Sequence, residues 1–361
     1  MVWFIAGLLL LLVCVSLFVL RGEDLRQYDS PRPIPVDSEN SPTDQHRDVV
    51  ESLSALTELT ENVPRREQLK AMREYLDDMG KDVVFEGEII PFEADGISGE
   101  WVVAAAADPS RRLLYIHGGA WIMGSPLSHR AITTQYANLI GGAVLSLDYR
   151  LMPEHSRQAG IDDCHSGWRY ILENGPAGPV APSRLFVSGD SAGGNLTLSL
   201  IRWIRDEGLR APDAAVVLSP ATDGTFTSPS MKNNVNTDHM LGPQFGKLNR
   251  IPKWILHWAT LFSTRIRPSH PMVSPVFGDL SGLPPTLVHA SEAEMLLDDA
   301  VRYVNKAQAA GSPVEIQVWK HMVHVWQIFV SDLPEAQHAF AEIDSFLRKY
   351  AAAADEGAEA A

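Results

Sequence analysis

The stretch Leu185-Phe-Val-Ser-Gly-Asp-Ser-Ala-Gly-Gly194 decides the fold. Its first residues are apolar and predict a buried parallel strand, whereas the residues after it place Leu196, Leu200 and Ile204 on one face of a helix. The G-x-S-x-G sequence between them puts Ser191 at a sharp strand-to-helix turn, with glycines where strand and helix come close. The N–H groups at a helix N-terminus favour a developing negative charge. The stretch therefore predicts a nucleophilic serine, and an ordinary glycine-rich turn is the alternative.

Strand and helix signals alternate on both sides of this stretch. Apolar runs that predict buried strands occupy residues 113–117, 144–149, 185–188, 214–218, 286–290 and 314–319. An alternating stretch over residues 82–93 and 99–106 predicts an antiparallel hairpin at a sheet edge. Strands that alternate with helices predict an α/β fold with a mostly parallel sheet, covered by helices on both faces. Eight strands with the serine after the fifth are typical of an α/β-hydrolase fold.

Composition limits the class of partner. The net charge of −15 argues against nucleic acid as a partner, and 45% hydrophobic residues are enough for a large core. The two cysteines, Cys14 and Cys164, give neither a disulfide framework nor a metal-binding pair. We therefore expect no metal and no organic cofactor.

The first 20 residues form an apolar segment without a charged side chain. A helix of that length spans about 30 Å, the hydrocarbon thickness of a bilayer. No small-residue cleavage site follows, so an uncleaved membrane anchor is favoured over a signal peptide, which remains the alternative. Arg21, Arg26 and Arg32 lie downstream and slightly favour a cytoplasmic catalytic domain.

The rest of the chain divides into four predicted parts. Residues 21–48 are expected to be a linker, and residues 49–350 a hydrolase domain. Within that domain, helices at about 49–80 and an insertion at about 222–265 are expected to build a helical cap. Residues 351–361, rich in Ala, Glu and Asp, are expected to be a disordered tail.

A candidate oxyanion hole follows the first buried strand, at His117-Gly-Gly-Ala120. Bare backbone lets a substrate carbonyl come close, so we expect the N–H groups of Gly118, Gly119 and Ala192 to bind the oxyanion. A plain glycine turn is the alternative. His117 is interpreted as a structural anchor of this loop.

A catalytic serine needs a histidine and a carboxylate later in the chain. His324 follows the last strand signal and is favoured over its neighbour His321. The strand ending at residue 290 is followed by four acidic candidates, which the residues alone do not separate: Glu292, Glu294, Asp298 and Asp299.

The substrate pocket is predicted from apolar residues near these loops. Trp121 and Met123 lie beside the oxyanion loop and are expected to touch substrate. Trp254 and Trp258 share one face of a predicted helix in the insertion. That face either holds an acyl chain as part of a cap or packs onto the core, and the sequence leaves both open.

Four motifs between residues 113 and 328 together resemble the hormone-sensitive-lipase-like group of α/β-hydrolases, which includes bacterial esterases and membrane-bound arylacetamide deacetylases. They are His117-Gly-Gly-Ala120, Asp148-Tyr-Arg-Leu-Met-Pro-Glu-His155, Gly189-Asp-Ser-Ala-Gly-Gly194 and the loop around His324. The resemblance implies Ser191 as nucleophile, His324 as base and a helical cap formed partly by residues before the sheet.

The chain departs from this family at two points. Ala120 stands where the family usually has a third glycine. The acid motif of the family usually begins with Asp-Pro-Leu, and here the matching residues are Glu294-Met-Leu296. The resemblance nevertheless implies Glu294 as the acid of the triad.

We therefore expect a serine carboxylesterase that hydrolyses short-to-medium acyl esters through a Ser-His-Glu triad. An amidase, a deacetylase or a lipase on the same triad is the first alternative. A membrane-tethered, non-catalytic binding protein is the second, and it is disfavoured because both the serine and the histidine are present.

Overall fold

The computed structural model of the 361-residue chain describes residues 7, 11–36 and 42–359. One main sheet runs through the molecule. Its strands are, in chain order, β1 (Glu88–Ala94), β2 (Ile97–Val103), β3 (Arg111–Ile116), β4 (Ala143–Leu147), β5 (Arg184–Asp190), β6 (Ala214–Leu218), β7 (Thr286–Ser291) and β8 (Val314–Trp319).

Besides the α-helical residues 7 and 11–15 near the N-terminus, eleven α-helices lie around the sheet in the described part of the chain. They are α1 (Asp44–Ser52), α2 (Ser54–Asn62), α3 (Arg65–Lys81), α4 (Arg130–Ile140), α5 (Arg157–Glu173), α6 (Ser191–Asp206), α7 (Ser230–Asn233), α8 (Leu241–Phe245), α9 (Lys253–Thr264), α10 (Leu297–Ala309) and α11 (Pro334–Glu359). A small antiparallel ribbon of Asn174–Gly175 and Gly178–Pro179 follows α5.

The strand order is β1-β2-β4-β3-β5-β6-β7-β8. β2 pairs antiparallel with β1 and with β4, and every other pair of the main sheet is parallel. The central strands are buried along their length because helices cover both faces: α5, α6 and α10 on one, α4 and α11 on the other. The predicted eight-stranded α/β-hydrolase fold is confirmed, and β5 carries Ser191 to the carboxyl edge of the sheet.

The N-terminal elements differ from the prediction in two ways. The first amphipathic helix is broken at Leu53 into α1 and α2. Residues 21–36 are not a free linker: Leu25 is buried, and Arg302 on α10 donates to Asp29 over 2.6 Å. Val36 bridges to Trp319 at the end of β8. Burial and ion pairing outweigh the Pro- and Asp-rich composition here, while residues 37–41 of the predicted linker lie outside the described residues.

The C-terminal tail also differs from the prediction. α11 continues as a helix to Glu359, so residues 351–359 are not irregular, and residues 360–361 lie outside the described part. Alanine has the highest helix propensity, which explains why an alanine-rich extension continues a packed helix.

The predicted anchor is described only in part. Residues 1–6 and 8–10 lie outside the described residues, and Ser16–Leu20 forms one π-helical turn against α9. Among the described residues, the structure has no helix with both the length and the apolarity needed to cross a membrane.

Candidate active site

Ser191 stands on a strained turn between β5 and α6. Its φ is 50°, in the left-handed region that side chains other than glycine rarely adopt. The turn fits only because Gly193 has no side chain: a Cβ there would lie 1.9 Å from the carbonyl oxygen of Ile116 on β3. The turn therefore projects the serine away from the sheet and leaves the first N–H groups of α6 beside it.

His324 reaches Ser191 from the loop after β8. Its Nε2 lies 2.9 Å from Oγ of Ser191, and its Nδ1 lies 2.8 Å from Oε2 of Glu294. The other carboxylate oxygen of Glu294 accepts the N–H of Ser291 over 2.8 Å. Both side chains are buried. The carboxylate thus accepts a hydrogen bond from the Nδ1–H group, and this tautomer leaves Nε2 free to accept the serine proton.

The environment of His324 changes its basicity. Burial alone would lower the pKa of the imidazole, but the hydrogen bond and the charge of Glu294 outweigh burial and raise that pKa above 6.5. Asp238 adds a further negative charge in the same direction.

The structure separates the rival candidates. His321 is partly exposed, with Nδ1 4.0 Å from Glu292, and it makes no bond to Ser191. Asp298 binds Arg32 and accepts the N–H of Ser230. Asp299 accepts the N–H groups of two residues after β6 and the hydroxyl of Ser228. Of the four acidic candidates, Glu294 alone has its carboxylate on His324.

The oxyanion prediction needs one correction. The N–H of Gly118 is not available, because it donates to Oδ1 of Asp190 over 2.9 Å in a buried contact. In the described part of the chain, the N–H groups of Gly119 and Ala120 have no acceptor, and Ala192 lies in the first turn of α6. The donors that remain free are thus Gly119, Ala120 and Ala192. Ala120 has a φ of 52°, the left-handed conformation that favours glycine at this position.

Asp190 ties the oxyanion loop to the nucleophile turn. Besides the Gly118 N–H, its Oδ1 accepts the Tyr115 hydroxyl over 2.7 Å, and its Oδ2 lies 3.3 Å from Nε2 of His129. Burial alone would raise the pKa of Asp190, but His129 and Tyr115 outweigh burial and lower it. The sequence did not reveal this role, although Asp190 occupies the first variable position of G-x-S-x-G. His117 is structural, since its ring stacks on Tyr149 at 4.4 Å and burial lowers its pKa to about 3.

Asp238 is a second residue that the sequence did not reveal. It is buried in the insertion after β6 and accepts the N–H of Met295 over 2.7 Å and of Leu241 over 2.7 Å. The insertion is thereby fastened to the residue that follows Glu294. No motif marks this aspartate, and only the folded chain brings it to the acid loop.

A cavity of about 530 Å³ opens above Ser191 and His324. Its wall is mostly apolar and is built from α2, α3, the oxyanion loop and the insertion after β6. Seven of the ten methionines line it, namely Met72, Met79, Met123, Met152, Met231, Met240 and Met295. Flexible thioethers adapt to the shape of a bound chain, so the wall suits apolar groups of varied form.

Two of the four predicted pocket residues line this cavity. Trp121 and Met123 do, and Trp121 is fixed by a hydrogen bond from Nε1 to the carbonyl oxygen of Ala192 and by the guanidinium of Arg157 over its ring. Trp254 and Trp258 do not. α9 turns other residues toward the cavity and directs these two tryptophans away from it, so their assignment to the pocket was wrong.

Within the described residues, no group of three or more His, Cys, Asp or Glu side chains could hold a metal ion. The arrangement combines a serine, a base and free N–H donors at one end of an apolar cavity. It is chemically suited to transfer of an acyl group to Ser191.

Comparisons with known proteins agree with the fold. Residues 113–328 match the family model Abhydrolase_3, described as alpha/beta hydrolase fold. An acetyl-hydrolase of Streptomyces hygroscopicus is 36% identical over 251 residues, 70% of this chain and 79% of that protein. An esterase of Acinetobacter venetianus is 35% identical over 259 residues, 72% of this chain and 81% of that protein.

Solved structures are similar over most of the chain. The crystal structure of an esterase from the bacterial hormone-sensitive lipase family matches with a TM-score of 0.75 at 32% identity, covering 86% of this chain and 99% of the other. The structure of EstE5 soaked with p-nitrophenyl butyrate matches with a TM-score of 0.72 at 31% identity, covering 86% of this chain and 100% of the other.

Proposed function

Since this chain belongs to the hormone-sensitive-lipase-like group of α/β-hydrolases and is a carboxylic ester hydrolase, we propose that it hydrolyses short-to-medium acyl esters through Ser191, His324 and Glu294. The observation that carries the proposal is the continuous chain of hydrogen bonds from Ser191 Oγ through the His324 imidazole to Glu294.

The reaction begins with proton transfer. Nε2 of His324 accepts the Ser191 proton as Oγ attacks the ester carbonyl carbon, and Glu294 stabilises the imidazolium that forms. The tetrahedral oxyanion is bound by the N–H groups of Gly119, Ala120 and Ala192. Removing one such donor typically raises the barrier by about 2.7–4 kcal/mol. The tight turn at Ser191 and the hydrogen bonds of Asp190 position the serine and the N–H donors before substrate binds.

The second half of the reaction reverses the roles. The imidazolium gives its proton to the leaving alcohol, and an acyl-enzyme remains on Ser191. Water then gives a proton to His324 as it attacks the acyl carbonyl, and the imidazolium passes that proton to Ser191 Oγ as the acid is released. No step requires a metal ion or an organic cofactor.

The size of the cavity supports the acyl range. A volume of about 530 Å³ lies within the usual range for small-molecule sites, and the apolar wall offers acyl carbons a dry environment. Met231, Met295 and Leu296 form an apolar cluster on the insertion side of the site. An amide or a long-chain triglyceride on the same triad remains the alternative substrate.

Localisation is a separate proposal. The uncharged residues 1–20 hold the protein at a membrane, and the arginines that follow favour a cytoplasmic catalytic domain. The measurement is alkaline carbonate extraction of full-length protein with sequencing of its mature N-terminus. Recovery in the membrane pellet with residues 1–20 intact supports the anchor. Release into the supernatant, or a mature N-terminus after residue 20, contradicts it.

Hydrolysis of p-nitrophenyl esters from C2 to C16 tests the activity, with matched amides beside the esters. We expect the highest kcat/KM among the shorter chains and slower cleavage of amides. Ser191→Ala serves as the control and should remove the activity while the fold persists. No ester hydrolysis across the series by folded protein would contradict the proposal.

A further inference from the structure

The face of α9 that turns away from the cavity is apolar and exposed. Trp254 is 57% exposed and Phe262 is 62% exposed, and Ile255 lies between them on the surface. Phe262 stacks on Trp258 with 5.7 Å between the ring centroids. Large aromatic side chains in water are costly, which indicates that something other than water covers this face.

The N-terminal segment extends the same surface. Trp258 donates from Nε1 to Oγ of Ser16 over 2.9 Å, and Ser269 donates to the carbonyl oxygen of Val19 over 3.1 Å. These contacts fasten the segment along α9 while its own apolar side chains stay exposed. We call the exposed side of α9 the aromatic face; its exposed members are Trp254, Ile255 and Phe262.

The stretch of chain that contains α9 has a charge opposite to that of the whole protein. Residues 239–278 contain no Asp or Glu, although the chain carries a net charge of −15. The same stretch carries the exposed cations Lys247, Arg250, Arg265 and Arg267, together with the half-buried Lys253. Across the part of the chain that the structure describes, none of these five cations forms an ion pair. Exposed cations without an ion-pair partner, on the same stretch of chain as exposed aromatic side chains, are typical of a helix that lies on an anionic membrane surface.

The aromatic face is next to the catalytic cavity. Thr260, Ser263 and Thr264, on the other side of α9, line the cavity, and Ser263 is exposed. A single helix, about 10 Å across, therefore separates the aromatic face from the space above Ser191.

We propose that the aromatic face rests in the headgroup region of an anionic lipid bilayer, and that acyl esters enter the cavity from the bilayer along α9. The lipid contact needs no catalysis, whereas the delivery of esters rests on the proposed function. Aromatic rings at the level of the headgroups and cations near anionic lipids both favour this orientation.

The contact is tested with an environment-sensitive fluorophore on full-length protein. Cys14→Ser removes the accessible thiol, and Cys164 is buried. Phe262→Cys then carries the label, and Val180→Cys is the matched control, because Val180 is an exposed apolar residue shortly before the amino end of β5. Vesicles contain phosphatidylcholine alone or with phosphatidylglycerol, with or without a nitroxide lipid.

We expect a blue shift and nitroxide quenching at position 262, stronger with phosphatidylglycerol, and neither effect at position 180. Equal behaviour at the two positions would overturn the proposal. A blue shift without vesicles would also overturn the proposal. If that shift grew with protein concentration, a second copy of the chain would cover the aromatic face. If the shift did not depend on concentration, residues 1–10 of the same chain would cover the aromatic face.

Delivery is tested with Trp254→Ser/Phe262→Ser in the full chain. Hydrolysis of dissolved p-nitrophenyl acetate should be unchanged, and hydrolysis of an ester embedded in anionic vesicles should fall by roughly tenfold or more. An equal loss on both substrates, or no loss on either, contradicts delivery along α9. Absence of all hydrolysis would refute the proposed function and leave the labelling result as the test of the lipid contact.

Discussion

Replacing Glu294 by glutamine tests the acid of the triad at nearly constant volume. The carboxylate accepts two buried donors, the Ser291 N–H over 2.8 Å and the His324 Nδ1 proton over 2.8 Å. A glutamine amide offers one acceptor and one NH₂ group. In either orientation, one of the two donors faces an NH₂ group.

His324 can avoid facing the NH₂ group by changing its tautomer, whereas the N–H of Ser291 has no such alternative. A buried donor left without an acceptor costs about 1–3 kcal/mol, so the amide oxygen should turn to Ser291 and the imidazole should move its proton to Nε2. That tautomer cannot accept the Ser191 proton, and it also loses the charge that stabilises the imidazolium. The penalty alone depletes the reactive tautomer by roughly 5- to 150-fold.

We expect kcat to fall by about 10²–10⁴ in Glu294→Gln; the upper value is the loss known for the equivalent change in a serine protease. The assay is p-nitrophenyl butyrate hydrolysis, with circular dichroism to verify folding. Glu292→Gln, on the same loop and half-exposed, is the matched control and should stay within roughly twofold of the wild type. Asp298→Asn should lower Tm and leave kcat largely intact, because its carboxylate serves Arg32 and Ser230. If Glu294→Gln kept near-normal kcat while Asp298→Asn abolished it in folded protein, the reasoning would be refuted.

Three further predictions concern pH and the oxyanion loop. Because Glu294 raises the pKa of His324, and a protonated imidazole cannot accept a proton, the acidic limb of the kcat/KM profile should have its midpoint above pH 6.5. In Glu294→Gln, burial dominates the pKa of His324, so the midpoint for the residual activity should move to lower pH. A midpoint that stays in place would assign the acidic limb to another group. Asp190→Asn disturbs the anchor of the oxyanion loop and should lower kcat by about 10–100-fold with KM nearly constant, whereas a change in KM alone would indicate a substrate-binding role. Ala120→Gly should leave kcat within roughly threefold of the wild type, since the donor is a backbone N–H group. The Tm should stay the same or rise slightly, because an alanine in the left-handed conformation costs about 1–2 kcal/mol. A large loss of kcat would show that the methyl group of Ala120 is needed.

Sequence patterns predicted what depends on local chemistry. The apolar runs predicted six strands of the main sheet, because buried parallel strands are nearly continuous apolar segments, and the alternating stretch predicted the other two, β1 and β2. Ser191 and His324 could be placed because each follows a strand at the carboxyl edge of the sheet, where the ends of parallel strands meet. Glu294 could be selected only through the family resemblance, since four acidic residues follow the same strand.

The errors came from contacts between distant parts of the chain. The apolar periodicity of α9 shows that one face is apolar, but it does not show whether that face turns inward, and Trp254 and Trp258 turn away from the cavity. The N–H of Gly118 is occupied by a hydrogen bond to Asp190, which lies 72 residues later in the chain. The roles of Asp238 and of residues 21–36 arise in the same way, from pairs that no local pattern links.

The central claim is that Ser191 is acylated during turnover. The most direct measurement is mass spectrometry of full-length protein that has been mixed rapidly with p-nitrophenyl butyrate and quenched in acid. The account predicts a butyryl group on the peptide that contains Ser191, and a much slower formation of that species in Glu294→Gln. An acyl group on a residue other than Ser191, or undiminished release of p-nitrophenol by folded Ser191→Ala, would contradict it.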